Sequence, residues 1–119
     1  MSENKYHRGK IYRITDLGYN QSYIGSTIQS LSVRMAGHRT SFNKYQSNKY
    51  GFVTVFNLFE QYGIENCKIE LVEMFPCQSR EELLKREGFV IQATECINKH
   101  IMGRTSKEYR EQNFIGSTW

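Results

Sequence analysis

Alternating apolar and polar positions predict two strands near the start of the chain, over residues 10–15 (KIYRIT) and 22–27 (SYIGST). In the first strand, Tyr12 and Ile14 fall on one face. The segment DLGYNQ between the strands is rich in turn residues, which favours an antiparallel hairpin. We expect such a hairpin to pair Tyr12 with Tyr23 on neighbouring backbone.

Helical periodicity follows over residues 31–45, directly after Ser30, a residue type that caps helices well. With Leu31 at 0°, steps of ~100° per residue place His38 at ~−20° and Arg34 at ~−60°. The apolar stripe of this helix therefore contains a histidine and has an arginine at its edge.

Four more elements complete the order ββααβαα. They are a helix over 53–62 that stops at Gly63, a strand over 67–75, a helix over 80–93 capped by Ser79, and a helical piece over 106–113. This order predicts an α+β fold in which a small three-stranded antiparallel sheet is flanked by helices. We expect a flexible N-terminus, a folded domain and a polar tail, over residues 1–8, 9–102 and 103–119.

The helix over 80–93 carries a carboxylate within its apolar stripe. The apolar positions are Leu83, Leu84, Val90 and Ile91. With Leu83 at 0°, Glu87 falls at ~40°, in the middle of that stripe. A carboxylate against a core is costly unless something compensates its charge. A buried salt bridge with Arg34 is the structural interpretation, and a functional partner is the alternative.

Composition narrows the classes of protein without choosing one. The 119 residues contain 39% hydrophobic residues and no apolar run of the ~18 residues that a membrane helix needs. Sixteen Lys+Arg against twelve Asp+Glu give a net charge of +4, which suits a polyanionic partner and equally a merely basic soluble protein. Asp16 is the only aspartate, so the chain offers few carboxylates for a two-metal site.

The N-terminal sequence and the cysteines predict an intracellular protein of the cytoplasm, nucleoid or nucleus. The start MSENKYHRGK has no apolar signal core. Three cysteines without C-x-x-C spacing favour free thiols in a reducing compartment.

The misplaced polar residues each have a structural interpretation when taken singly. A strand tyrosine usually packs its ring and hydrogen-bonds its tip. His38 could be a satisfied core histidine, and Arg34 could extend its charge past the apolar surface.

Taken in order, these residues resemble the GIY-YIG nuclease family. The two motifs of that name read KIY at 10–12 and YIG at 23–25. The resemblance covers about residues 9–99 and continues through Leu31, Arg34, His38, Glu87 and, in the segment CIN, Asn98. The first glycine of the name is Lys10 here, a change at a position that looks structural rather than chemical.

The resemblance implies hydrolysis of a DNA phosphodiester with one divalent metal, leaving 5′-phosphate and 3′-hydroxyl ends. Glu87 would be the protein ligand of Mg²⁺, or of another hard cation such as Mn²⁺, and that cation would compensate its charge. Tyr12 would activate the attacking water as a general base. Because a free phenol has a pKa near ~10, Arg34 and His38 would have to lower that pKa or relay the proton.

The remaining implied roles concern substrate binding. Arg34 would also contact the phosphate, and Tyr23 would hold the phosphate or the attacking water. Asn98 would brace the site by orienting backbone or Glu87. Candidates for contacts to DNA phosphates are Lys10, Arg34, Arg39, Lys44, Lys49, Lys99 and Arg104.

Two rival functions remain open at this point. One is a catalytically inactive nucleic-acid-binding module of the same fold. The other is a protein-interaction domain that uses the aromatics of SFNKYQSNKYGF, residues 41–52. For the nuclease itself, the expected partner is DNA, with a homodimer or a separate specificity partner as a further possibility, and no membrane is expected.

Overall fold

The computed structural model describes residues 4–98. Its strands and helices are β1 (Lys10–Asp16), β2 (Ser22–Thr27), α1 (Leu31–Gln46), α2 (Phe56–Tyr62), β3 (Cys67–Met74) and α3 (Arg80–Ala93), with 3₁₀ helices at Lys5–Arg8 and Ile64–Asn66. The predicted α+β class and the element order through α3 are confirmed. The predicted helix over 106–113 and the predicted tail over 103–119 lie outside the described residues.

The three strands form one antiparallel sheet in the order β2-β1-β3, with β1 at its centre. Helices cover both faces. Tyr12 and Ile14 pack into a core cluster with residues of α1 and α2, whereas Ile11 packs on the other face with α3. Burial on both faces explains why β1 carries apolar side chains at consecutive positions.

The hairpin register differs from the prediction. Tyr12 lies opposite Gly25, and Tyr23 lies opposite Ile14, so the two tyrosines are diagonal neighbours rather than a direct pair. Asp16 holds the connecting loop because its carboxylate accepts backbone hydrogen bonds from Gly18, Asn20 and Gln21. The loop geometry thus sets the register. Asp16, the only aspartate of the chain, therefore has a structural role in this loop.

Caps define the ends of the elements largely as predicted. Ser30 and Ser79 each accept a hydrogen bond from a backbone N–H in the first turn of their helices. α2 stops at Gly63, the residue that follows its last turn. The φ of Gly63 is 86°, a backbone conformation that glycine adopts readily and other residues rarely adopt.

Two segments differ from the sequence-based expectation. α2 begins at Phe56, later than predicted, because residues 54–55 form a turn, in which the carbonyls of Val53 and Thr54 accept from the N–H groups three residues further on. At the N-terminus, the structure shows a 3₁₀ helix at Lys5–Arg8, capped by Asn4, where a flexible segment was expected. The Asn4 side chain also donates to the carbonyl of Gln78, which ties this segment to the start of α3.

The two cores explain most of the burial pattern. Aromatic rings dominate the α1–α2 side, where Phe42, Phe56 and Phe59 pack against one another in tilted and edge-to-face arrangements. On the α3 side, Leu83, Val90 and Ile91 are buried as predicted, but Leu84 is 40% exposed and does not belong to the buried stripe. The three cysteines are buried and form no disulfide with one another. Within residues 4–98, no helix combines the length and apolarity needed to cross a membrane.

Candidate active site

Four of the predicted site residues line one open cavity of about 430 Å³ beside β2. These residues are Tyr12, Tyr23, Arg34 and Glu87. The other two predicted residues do not line it: His38 lies behind Tyr12, and Asn98 contacts the backbone of β2. The predicted residues therefore divide into groups that line the cavity and groups that lie behind it.

The cavity draws on both faces of the sheet because β2 is an edge strand. Side chains alternate along the strand, so Tyr23 packs on the α1–α2 side while Ser26 faces α3 and bonds to Glu87. A substrate lying along this edge can reach groups of α1 and α3 at the same time.

Tyr12 is held between an arginine and a histidine. The Nε of Arg34 donates a hydrogen bond to the phenol oxygen of Tyr12 at 3.2 Å, and that oxygen lies 2.9 Å from Nε2 of His38. Since a guanidinium only donates, the phenol oxygen accepts from Arg34 and keeps its own proton for His38. Burial, together with the charge of Arg34, lowers the pKa of His38 to about 4. A neutral His38 can therefore accept the phenol proton.

Arg34 and His38 were expected either to lower the pKa of Tyr12 or to relay its proton, and the first alternative does not hold for the protein alone. Burial raises the pKa of Tyr12, and Glu87 raises it further, although the charge and hydrogen bond of Arg34 act in the opposite direction. Burial also raises the pKa of Tyr23. Tyr12 is only 1% exposed, which explains why desolvation of the phenolate outweighs the single nearby cation. Of the two predicted routes, proton relay through His38 is therefore the one that the geometry favours.

Gly25 provides the space that Tyr12 occupies. A Cβ built on Gly25 would lie 2.4 Å from the phenol oxygen of Tyr12 and 2.5 Å from Cζ. The ring therefore lies directly over the backbone of the facing strand, where any side chain would collide with it. This contact gives the glycine of the YIG motif a steric reason.

The partner of Glu87 is a serine rather than an arginine. The hydroxyl of Ser26 donates to Oε1 of Glu87, and the salt bridge considered from the sequence does not form. The ion pairs within residues 4–98 join Arg13 to Glu70, Lys68 to Glu70 and Arg86 to Glu73. A neutral hydroxyl orients the carboxylate but leaves its charge uncompensated.

The surroundings of Glu87 fit a hard divalent cation. Within the described residues, Oε2 has no hydrogen-bond donor, and the cavity is wide enough for the water ligands that Mg²⁺ retains. No group of three or more His, Cys, Asp or Glu side chains in the described range could hold a metal ion. A cation here would thus have Glu87 as its protein carboxylate and would depend on water for most other ligands.

Asn98 acts on the backbone of β2. Its Oδ1 accepts from the N–H of Ile24 at 2.9 Å, and its Nδ2 donates to the Ile24 carbonyl at 2.8 Å. The side-chain amide replaces a neighbouring strand at this edge of the sheet, so it satisfies two buried backbone groups. Asn98 was expected to orient either backbone or Glu87, and these two hydrogen bonds orient backbone.

We expect Asn98→Ala to lower the free energy of unfolding by roughly 2–4 kcal/mol, because it leaves the buried N–H and C=O of Ile24 without partners. Urea unfolding at neutral pH measures this loss. Asn66→Ala is the matched control, since Asn66 is exposed and its side chain makes one bond, to the Tyr62 carbonyl. Equal losses in the two variants would contradict the bracing role.

His38 is expected to make stability depend on pH between about 4 and 6.5. Its pKa falls on folding from 6.5 to about 4, so in this window the unfolded chain binds the proton and the folded chain does not. Stability therefore decreases as pH falls, by roughly 2 kcal/mol between pH 7 and pH 5. Urea unfolding at both pH values should show this loss in the wild type and a smaller one in His38→Gln. An unchanged loss in the variant would remove His38 as its source.

The basic residues predicted to contact DNA outside the site differ in their surroundings. The ammonium of Lys10 donates to the carbonyls of Arg8 and Gln29, both at 2.9 Å, so it is engaged in holding backbone rather than projecting freely toward a phosphate. Arg39 and Lys44 are exposed on α1, but Arg39 lies ~140° around the helix from Arg34. Both stay predictions, as does exposed Lys49, whereas Lys99 and Arg104 lie outside the described residues.

The cavity residues that sequence reasoning missed include Ser26, Tyr6 and Arg80. Strand alternation could have placed Ser26 on the face opposite Tyr23, toward a helix on that side. Tyr6 had no such signal, because it reaches the cavity from a short 3₁₀ helix that periodicity does not reveal.

Comparison with known proteins agrees with this architecture. The family model of the GIY-YIG catalytic domain matches residues 8–100. A search of curated protein sequences gave no match. The fold is that of a GIY-YIG catalytic domain. The chain belongs to the GIY-YIG family, and the resemblance seen in its sequence is confirmed.

Two solved structures share the fold. A mutant of the catalytic domain of intron endonuclease I-TevI has a TM-score of 0.51 and 19% identity, covering 71% of this chain and 81% of that chain. The catalytic domain of homing endonuclease I-TevI has a TM-score of 0.50 and 19% identity, covering 71% of this chain and 86% of that chain. At this identity the likeness concerns the fold alone.

Proposed function

We propose that this chain is a DNA endonuclease that hydrolyses phosphodiester bonds with one divalent cation, Mg²⁺ or Mn²⁺, and leaves 5′-phosphate and 3′-hydroxyl ends. One observation carries the proposal: Tyr12, Arg34 and Glu87 line the same cavity, and Tyr12 bonds to a neutral histidine behind it. A base, a phosphate-binding cation and a metal-binding carboxylate are the groups that phosphodiester hydrolysis needs.

Tyr12 and His38 act together as the base in this proposal. Because its pKa is raised, the phenol does not ionise alone at neutral pH. As Tyr12 accepts a proton from the attacking water, its own proton passes to Nε2 of His38. Because burial and the charge of Arg34 lower the pKa of His38 to about 4, the imidazolium is a transient carrier that releases this proton to solvent.

Arg34 and Tyr23 bind the scissile phosphate. Arg34 uses Nε to hold Tyr12, and its terminal nitrogens remain for the phosphate oxygens and for the charge that builds on them. Tyr23 keeps its proton, since its pKa is raised, and therefore serves as a hydrogen-bond donor rather than as a second base.

Glu87, whose other oxygen accepts from Ser26, would hold the cation. When bound, Mg²⁺ would stabilise the charge that develops on the leaving 3′ oxygen. The same cation would compensate the half-buried carboxylate, which has only a neutral hydroxyl as its partner.

The substrate in this proposal is DNA, and sequence preference would come from a dimer or from a separate specificity partner. An inactive binding module of the same fold is not favoured, because Tyr12, Arg34, His38 and Glu87 are all present in a consistent geometry. The exposed aromatics Tyr50 and Phe52 pack on Phe56, so they belong to the edge of the core and favour no interaction function.

A plasmid-nicking assay tests the proposal. Purified protein is incubated with supercoiled DNA in Mg²⁺, in Mn²⁺ or in excess EDTA. We expect nicked plasmid only with a divalent cation, and DNA ligase should reseal the nicks without prior end repair. Cleavage in EDTA, or nicks that ligase cannot seal, would contradict the metal dependence or the end chemistry. Absence of cleavage of any DNA by folded protein would overturn the nuclease itself.

A further inference from the structure

Arg80 occupies a position that the fold does not explain. It is the first residue of α3, where the positive end of the helix dipole disfavours a cation. The next two residues, Glu81 and Glu82, have the sign that this end prefers. Among residues 4–98, neither the ion pairs nor the side-chain hydrogen bonds include the Arg80 guanidinium. The arginine is exposed and stabilises nothing visible in the domain.

The same guanidinium borders the catalytic cavity. Arg80 lines it together with Arg34 and Glu87, although the two arginines come from different helices on opposite faces of the sheet. The lining also includes apolar side chains without a catalytic role, among them Tyr6, Ile28 and Leu84. Leu84 is exposed, and an amphipathic helix ordinarily carries a polar residue at an exposed position.

This combination matches the chemistry of a nucleotide. Apolar side chains suit the sugar and base edge, and a free guanidinium suits a phosphate. A volume of about 430 Å³ also exceeds what one phosphate group and a hydrated cation require, and falls within the range of sites for larger organic ligands.

We propose that Arg80 binds a DNA phosphate next to the scissile one, while Tyr6 and Leu84 contact the sugar between the two phosphates. The inference rests on the proposed function, since it assumes that the scissile phosphate lies at Arg34. Arg80 then fixes the register of the strand in the site and takes no part in the chemical step. Its unfavourable place in the helix is explained by the anion that it binds.

The salt dependence of DNA binding tests this directly. Binding of a fluorescent duplex is followed by anisotropy in EDTA over a series of monovalent salt concentrations, with the wild type, Arg80→Gln, Arg80→Lys and Lys85→Gln. Lys85 is the matched control because it is an exposed cation on the same helix that borders a different groove. Loss of one phosphate contact should reduce the slope of log K against log salt by ~0.9 and weaken binding at 0.1 M salt about eightfold.

We expect Arg80→Gln to show the smaller salt slope and the weaker DNA binding. Arg80→Lys should recover most of both, and Lys85→Gln should bind DNA as the wild type does. Thermal unfolding should show Arg80→Gln to be no less stable than the wild type, because a cation leaves the first turn of α3. An unchanged slope in Arg80→Gln, or an equal loss in Lys85→Gln, would overturn the assignment.

Cleavage kinetics separate this inference from the proposed function. If the wild type cleaves, Arg80→Gln should raise KM with kcat retained, and a loss confined to kcat would contradict a binding role. If the wild type binds DNA without cleaving it, the nuclease proposal fails, and the slopes still decide the role of Arg80. Absence of any DNA binding by the wild type would overturn both.

Discussion

Replacing Glu87 by glutamine is expected to abolish cleavage while the domain stays folded. Glutamine keeps the size of the side chain and an oxygen that can accept from Ser26, but it loses the charge that binds a cation. Because electrostatic stabilisation by a metal is worth several kcal/mol, the rate should fall by at least about 10³-fold. Plasmid nicking with saturating Mg²⁺ measures the loss.

Thermal unfolding with and without Mg²⁺ provides a readout that does not depend on cleavage. Mg²⁺ should raise the Tm of the wild type, since a ligand that binds the folded state stabilises it, and should leave Glu87→Gln unshifted. Without metal, the variant should be at least as stable as the wild type, because a half-buried charge is removed. Glu81→Gln, at an exposed position of the same helix, is the control expected to keep the rise in Tm with Mg²⁺. An unfolded Glu87→Gln would show instead that the carboxylate is structural.

Local patterns were sufficient for the elements because each depends on short-range rules. Ser30 and Ser79 act as caps, Gly63 ends α2, and the helical wheel places Glu87 between buried Leu83 and Ile91. Each of these predictions uses only residues within two turns of one another. The family resemblance then indicated which of the misplaced side chains belong to one site.

The errors arise where tertiary structure overrides a local rule. The raised pKa of Tyr12 follows from burial between β1 and α1, which sequence spacing does not measure. The register that places Gly25 opposite Tyr12 depends on the loop held by Asp16. The partner of Glu87, Ser26, lies on a strand far away in the chain and became evident only once the faces of β2 were assigned.

The edge position of β2 explains why these particular errors cluster at the site. A central strand would separate the groups of α1 from those of α3, whereas an edge strand allows both to border one cavity. Contacts across that edge join residues that are close in space and distant in sequence. Periodicity within one element therefore cannot reveal them, although it can reveal that Arg34 and Glu87 are out of place.

Gly25→Ala is expected to reduce cleavage by about 10²-fold or more, the usual contribution of a general base. The added methyl group would lie 2.4 Å from the phenol oxygen of Tyr12, far inside van der Waals contact, so the ring must move away. Movement breaks the bonds to Arg34 and His38 together. Such overpacking should also lower the free energy of unfolding by about 1–3 kcal/mol, measured by urea denaturation.

Gly88→Ala is the matched control for this substitution. Gly88 is next to Glu87 in α3, and a Cβ there meets no atom within 4 Å. Since alanine favours a helix interior over glycine, this variant should gain roughly 0.5–1 kcal/mol of stability and keep its cleavage rate. The cleavage rate of Gly25→Ala must be measured well below its Tm. A lower rate then results from displacement of the Tyr12 phenol in folded protein and not from unfolding. Wild-type cleavage by folded Gly25→Ala, or by Tyr12→Phe, would remove the phenol from the mechanism.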